Sequence, residues 1–277
     1  MSGNILVTGG TGKTGAALMK RLTQAGHPAI SASRTAMTPG SVRFDWDDAQ
    51  SHDAALNGVS GVYLVAPIGS STPIDVMEPF VKRALSQGVQ RFVLLSSSLI
   101  DENGPAMGAV HALLKRHAPQ WAVLRPSWFM ENFSQGPHAE TIVHEDAIYS
   151  ATDDGVVPFV AVDDIAEVAQ RALTDKQAPN TDLIITGPVA LSFDQVAEMI
   201  GAVRGRAVKH IRQTQAQRTA SFQAVGVPPE FANMLSELDR AIAHGAEART
   251  TSVISAMTGR APTSFAAFAA EHSHVWR

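Results

Sequence analysis

Over the first 130 residues, short apolar runs rich in β-branched residues alternate with stretches of helical period. That alternation is the mark of parallel strands joined by crossover helices. It predicts strands over 4–7, 29–32, 42–45, 61–65, 91–96 and 121–124, with helices over 14–25, 47–56, 74–87 and 106–117. Ile5-Leu6-Val7 and Phe92-Val93-Leu94-Leu95 leave no polar face, as expected of strands covered by helices on both sides. The predicted class is α/β, with a doubly wound parallel sheet.

Beyond Pro126 the rhythm loosens. A turn is predicted over 148–154, a short strand over 156–162, and an amphipathic helix over 166–173 that Asp163 or Asp164 could cap. A strand at 183–186 and a helix at 193–201 either rejoin the main sheet or extend it. Residues 228–245 and 263–272 again have a helical period with an apolar face. Residues 1–130 are therefore read as a sheet domain. Residues 131–277 are read as a smaller, mostly helical part over the open end of the sheet, with some elements returning to it.

Composition narrows the partners. Of the 277 residues, 45% are hydrophobic and 17% charged, a balance that excludes a disordered chain. The net charge of −4 and the lack of a basic run argue against nucleic acid as a partner. There is no cysteine, so disulfides, thiolate metal ligands and cysteine nucleophiles are excluded. No apolar run approaches the ~20 residues of a membrane span, and the first ten residues lack the features of a secretion signal. A cytoplasmic protein is expected, with no membrane partner, as a monomer or homodimer.

Candidate chemistry begins directly after the first strand, at Thr8-Gly9-Gly10-Thr11-Gly12-Lys13-Thr14-Gly15. Gly9 permits the sharp strand-to-helix turn, Gly12 lets backbone approach a diphosphate, and Gly15 lets the helix pack against the strand. The phosphates would rest on free amides at the helix N-terminus, beside Thr11, Lys13 and Thr14. The end of the second strand selects the dinucleotide. A carboxylate there would accept from a ribose 2′-hydroxyl and repel a 2′-phosphate, but the chain has Ser33-Arg34 and no carboxylate until Asp45. Arg34, with Ser33 and Lys13, can grip a 2′-phosphate, so NADP(H) is the predicted cofactor. Asp45 and Trp46 either hold and flank the adenine or serve as a helix cap and a packing aromatic. Ala66 and Pro67 lie by position along the far ribose, and Ser96 and Ser97 near the nicotinamide.

The Tyr-x-x-x-Lys pair, common in reductases with this glycine pattern, is missing: neither Tyr63 nor Tyr149 has a lysine four positions on. In its place on the helix after the fifth strand stand His111 and Lys115, at i and i+4. An imidazole there either donates a proton or simply holds a loop or a cofactor ribose through its other nitrogen.

Taken together, these residues resemble the NmrA-like branch of the atypical short-chain dehydrogenases. Within it they are most similar to the ergot-alkaloid dehydrogenases of the agroclavine and festuclavine type and their bacterial relatives. The likeness rests on the glycine loop and on the stretches 105–111, 121–133, 157–165 and 187–188, of which Trp128 to Phe133 is the most specific. It implies a Rossmann domain, NADP(H), and reduction of a hydrophobic imine or iminium, enone or quinone-like molecule. The branch also contains dinucleotide-sensing regulators without turnover. Met107, Trp128, Phe129 and Met130 are the expected substrate contacts, the alternative being that they are core. The ten histidines show no metal-ligand spacing, so no metal is expected.

Overall fold

A computed structural model describes residues 3–35 and 39–277. Along the chain run β1 (Asn4–Thr8), α1 (Lys13–Gln24), β2 (Ala29–Ser33), β3 (Ser41–Arg43), α2 (Gln50–Leu56) and β4 (Val59–Leu64). These are followed by α3 (Ile74–Ser86), β5 (Arg91–Leu95), α4 (Met107–His117), β6 (Gln120–Pro126), α5 (Pro137–Glu145), β7 (Ala147–Ser150) and β8 (Val156–Val157). The remainder is α6 (Val162–Thr174), β9 (Thr181–Ile185), β10 (Leu191–Ser192), α7 (Phe193–Arg204), β11 (Lys209–Arg212), α8 (Gln215–Ala224), α9 (Pro229–Ala243), α10 (Val253–Thr258) and α11 (Phe265–Glu271).

The chain forms two compact units: the stretch up to Pro126 together with Val162–Ile184, and Ser127–Ala161 together with Ile185–Arg277. The first is built on a seven-stranded sheet in the order β3-β2-β1-β4-β5-β6-β9. The strand order reverses across β1 and β4, and the ladders from β3 to β6 are parallel. Leu6 lies level with Ile30 and Val62, and Phe92 with Val62 and Trp121, which stacks the apolar runs into one buried layer. Arg91, 2% exposed, donates to the carbonyls of Leu173 (2.9 Å) and Asp175 (2.7 Å). It thereby closes the C-terminal end of α6.

Three expectations change. Asp163 and Asp164 do not cap a helix, because α6 already begins at Val162 and holds both in its first turn. Asp163 instead receives Arg21 of α1 through two bonds, of 2.9 and 2.6 Å. The turn expected over 148–154 opens with a strand, β7, which pairs in parallel with β11. The strand expected over 156–162 shortens to β8, paired antiparallel with β10.

The second unit packs α7, α11 and the small ladders around a ring cluster. Phe133 meets Phe159, Phe193 and Phe265 edge-on at 5.2, 5.8 and 5.6 Å. Buried Trp276 donates its indole N–H to the Phe133 carbonyl at 2.7 Å. In the α8–α9 hairpin, half-buried Arg218 of α8 pairs with buried Asp239 of α9 at 3.1 Å, while α8 has no fully buried residue of its own.

Candidate active site

The glycine loop is built of backbone in close contact. Thr8 ends β1 with its hydroxyl donating to the Tyr63 carbonyl (3.0 Å) and accepting from the Val65 amide (2.8 Å), which locks the ends of β1 and β4 together. Gly9 then turns at φ +62°, and its carbonyl accepts from the Gly12 amide at 2.8 Å. A Cβ on Gly15 would lie 2.2 Å from the Gly9 carbonyl oxygen, whereas one on Gly12 meets only that oxygen, at 3.2 Å. Gly12 is the N-cap of α1, and no side chain caps the helix, so no cap side chain takes up the amides of the first turn. Gly15 thus seats α1 directly on the Gly9 turn, while the open side of Gly12, ahead of an uncapped helix start, fits a diphosphate.

The strand ends carry the other candidates. Ser33 ends β2, but its hydroxyl donates to the Thr35 carbonyl at 2.8 Å. Arg34 is exposed and has no side-chain bond to the described residues. Asp45 is no helix cap: α2 starts at Gln50, and the Asp45 carboxylate accepts from the Asp47 amide at 3.2 Å. Trp46 is a packing aromatic, edge-on to Phe44 (4.9 Å) and Phe80 (5.3 Å); its N–H donates to the Val65 carbonyl at 3.1 Å, and its ring is half-buried. Ala66 and Pro67 follow β4, and Ser96 and Ser97 follow β5. The Ser96 amide donates to the Leu124 carbonyl at 2.7 Å, while its buried hydroxyl has no protein partner. Gly9 to Gly15, Ser33, Arg34, Asp45, Trp46, Ala66, Pro67, Ser96 and Ser97 thus all lie just beyond the carboxyl ends of β1 to β5, the edge at which open parallel sheets bind ligands.

The expected acid–base pair is not assembled. His111 is 3% exposed, its ring is tilted 5.7 Å from Trp121, and its Nδ1 has no hydrogen-bond partner. Burial pushes its pKa below the usual imidazole value, so the ring is neutral at neutral pH. Lys115 does not join it: half-exposed, it pairs with Glu102 at 2.6 Å. The tyrosines offer no substitute. Burial pushes the Tyr63 hydroxyl far up, and the bond to Glu145 (2.7 Å) raises Tyr149.

Sequence reasoning assigned no role to Arg125. Its side chain, 7% exposed, bonds Asp101 at 2.5 Å and Asp182 at 2.7 Å. Asp182 is pulled up by burial, but the Arg125 bond and charge outweigh this and hold it below the usual carboxylate range.

Of the expected substrate contacts, Met107 opens α4 and is half-buried against the core of the first unit. Trp128 and Phe129 are half-buried, whereas Met130, 1% exposed, belongs to the core of the second unit. Three of the stretches that carried the resemblance, 121–133, 157–165 and 187–188, are bonded to one another. Ser127 Oγ donates to the Pro158 carbonyl at 2.5 Å, and the amides of Met130 and Gly187 donate to Val160 and Pro158, each at 2.9 Å. A Cβ on Gly187 would lie 1.9 Å from the Phe159 oxygen, so only glycine fits there. Among the described residues no group of three His, Cys, Asp or Glu is placed to hold a metal, and no helix is long and apolar enough to cross a membrane.

The sheet order, the glycine cradle and the strand-end residues define a nucleotide-binding α/β protein of the Rossmann type. Residues 1–269 match the NmrA-like family, and the chain belongs to that family. It is 42% identical over 289 residues to agroclavine dehydrogenase of Claviceps fusiformis, covering 98% of each chain. To the oxidoreductase YesF of Bacillus subtilis it is 42% identical over 275 residues, covering 98% of this chain and 96% of that one. Among solved structures its fold is that of the NADPH-dependent quinone oxidoreductase of Escherichia coli in complex with NADPH, with TM-score 0.82, 20% identity, and 99% and 100% of the two chains covered. Like these relatives, it is an oxidoreductase.

Proposed function

We propose that the protein is an NADPH-dependent reductase of a hydrophobic imine or iminium, enone or quinone-like molecule. The observation that carries this reading is a backbone cradle ending in the uncapped start of α1, with Arg34 and no carboxylate at the end of β2. The amides from Gly12 to Gly15 would hold the diphosphate, and Arg34, with Lys13, the 2′-phosphate. Ser33 joins them only if its hydroxyl leaves the Thr35 carbonyl. Asp45 would hold the adenine amino group and Trp46 flank its ring, Ala66 and Pro67 would lie along the far ribose, and Ser96 and Ser97 near the nicotinamide.

When bound, a reduced nicotinamide supplies a hydride. The chain's own work is then to orient the acceptor and exclude water, a task suited to Met107, Trp128 and Phe129. A hydride delivered to an iminium carbon leaves a neutral amine and needs no proton donor, which fits a chain whose Tyr63 is fully buried and whose Tyr149 and Lys115 bond carboxylates. An enone or quinone needs a proton as well, which His111 would supply only once protonated and which solvent otherwise supplies directly. The likeness to agroclavine dehydrogenase supports a reaction on a small organic molecule.

The test is loss of NADPH absorbance with a panel of cyclic imines, enones and quinones. Turnover of at least one class is expected. NADPH binding with no turnover across the panel would replace the reductase with a dinucleotide-sensing regulator.

A further inference from the structure

The segment between β5 and α4 is held more firmly than a surface turn requires. Two of its non-glycine residues have positive φ, Asn103 at +63° and Ala106 at +50°. Ala106, with ψ −111°, lies outside the regions an alanine favours. Such backbone persists only where its surroundings over-determine it. Here a Cβ on Gly108 would lie 2.6 Å from the Asp101 carbonyl oxygen, so the start of α4 presses on the segment.

Side chains fasten it from outside. The nearly buried Arg125 guanidinium donates to Asp101 Oδ1 (2.5 Å) and the Ser98 carbonyl (2.9 Å), reaches the Ser97 carbonyl at 3.4 Å, and is braced by Asp182 at 2.7 Å. Lys115 fastens the next residue, Glu102, at 2.6 Å. Removing a guanidinium from water is costly and is offset only by bonds of this quality. Ser96 and Ser97 open the segment, and Met107 follows it directly.

We propose that Arg125 is a positioning residue: through Asp101 and the Ser97 and Ser98 carbonyls it sets the loop that presents Ser96, Ser97 and Met107. The Lys115–Glu102 pair is a weaker second fastening, exposed to solvent and salt. The catalytic consequence rests on the reductase reading; the loop's dependence on Arg125 does not.

Asp101→Asn in the full chain separates the two. The Asp101 side chain is 85% exposed, so the core survives its loss of charge. Amide hydrogen exchange should quicken about tenfold or more across 97–107 and stay unchanged in β5 and β6. With the best acceptor kcat should fall roughly tenfold or more, as expected of misplaced reacting groups, while the Kd for NADPH stays within about threefold because the phosphates bind elsewhere. Arg125→Lys, which keeps the charge and loses the fork, should give the same pattern. Unchanged exchange in the loop, or full kcat despite faster exchange, would overturn the proposal. Should the wild type reduce no acceptor, the reductase reading fails, and the exchange measurement still decides whether Arg125 sets the loop.

Discussion

Two alanine substitutions three positions apart should separate the fold's use of the glycine loop from the ligand's use of it. At Gly15 an added Cβ meets the Gly9 carbonyl oxygen at 2.2 Å and the Gly9 carbon at 2.8 Å. Both are backbone atoms, so α1 must retreat by about 1 Å. Overpacking of this kind costs about 1–3 kcal/mol, and alanine's helix propensity returns about 1. A net loss of up to about 2 kcal/mol corresponds to roughly 4–8 °C in Tm for a chain of this size. At Gly12 the added Cβ meets only the Gly9 oxygen, at 3.2 Å, and the backbone (φ −80°, ψ 175°) suits any residue. Gly12→Ala should therefore melt within about 4 °C of the wild type. Its methyl group would stand where a phosphate must approach, so NADPH affinity should fall at least about tenfold, or 1.4 kcal/mol. Thermal melts paired with titration calorimetry read both effects. A folded Gly12→Ala protein that binds NADPH like the wild type would refute the assignment of the cradle.

Arg34→Glu should raise the Kd for NADPH at least about tenfold more than that for NADH, measured by calorimetry; equal changes would remove the role of Arg34 in selectivity. His111 is buried and its pKa lowered, so the unfolded chain holds its proton more tightly and stability should fall as pH drops below about 6.5. In His111→Gln this part of the pH dependence should vanish, and a melting curve unchanged in shape would contradict the assignment. Asp182 is held below the usual carboxylate range by Arg125, so its contribution is present above about pH 4 and is lost as pH falls. The gap in Tm between wild type and Asp182→Asn should accordingly shrink from pH 7 to pH 3; a constant gap would exclude a titrating pair.

Much of the first unit was legible because its signals are local. Ile5-Leu6-Val7 followed by three spaced glycines specifies a strand, a turn and a helix start within a dozen residues, and the later strands repeat the apolar pattern. The misses lie where a residue's role is set by a distant partner. β11 reads Lys-His-Ile-Arg, with no apolar run, and exists because β7 pairs with it. α8 buries nothing and is held through α9, where Arg218 bonds Asp239. Arg125 stood inside the most specific stretch of the chain, yet its partners are 24 and 57 positions away. His111 and Lys115 share a helix face by spacing, but one turn of α4 separates a buried ring from an ammonium in solvent. Met130 and Trp128 look alike in sequence; the ring cluster around Phe133 takes the first and leaves the second half-exposed.

The central claim is that the amides at the start of α1 and the guanidinium of Arg34 together hold a phosphorylated nicotinamide dinucleotide. Calorimetric titration of the wild-type protein with NADPH and, separately, NADH tests it most directly. Saturable binding is expected for NADPH, at least about tenfold tighter than for NADH. Heat signals no different from buffer for both coenzymes would contradict the claim.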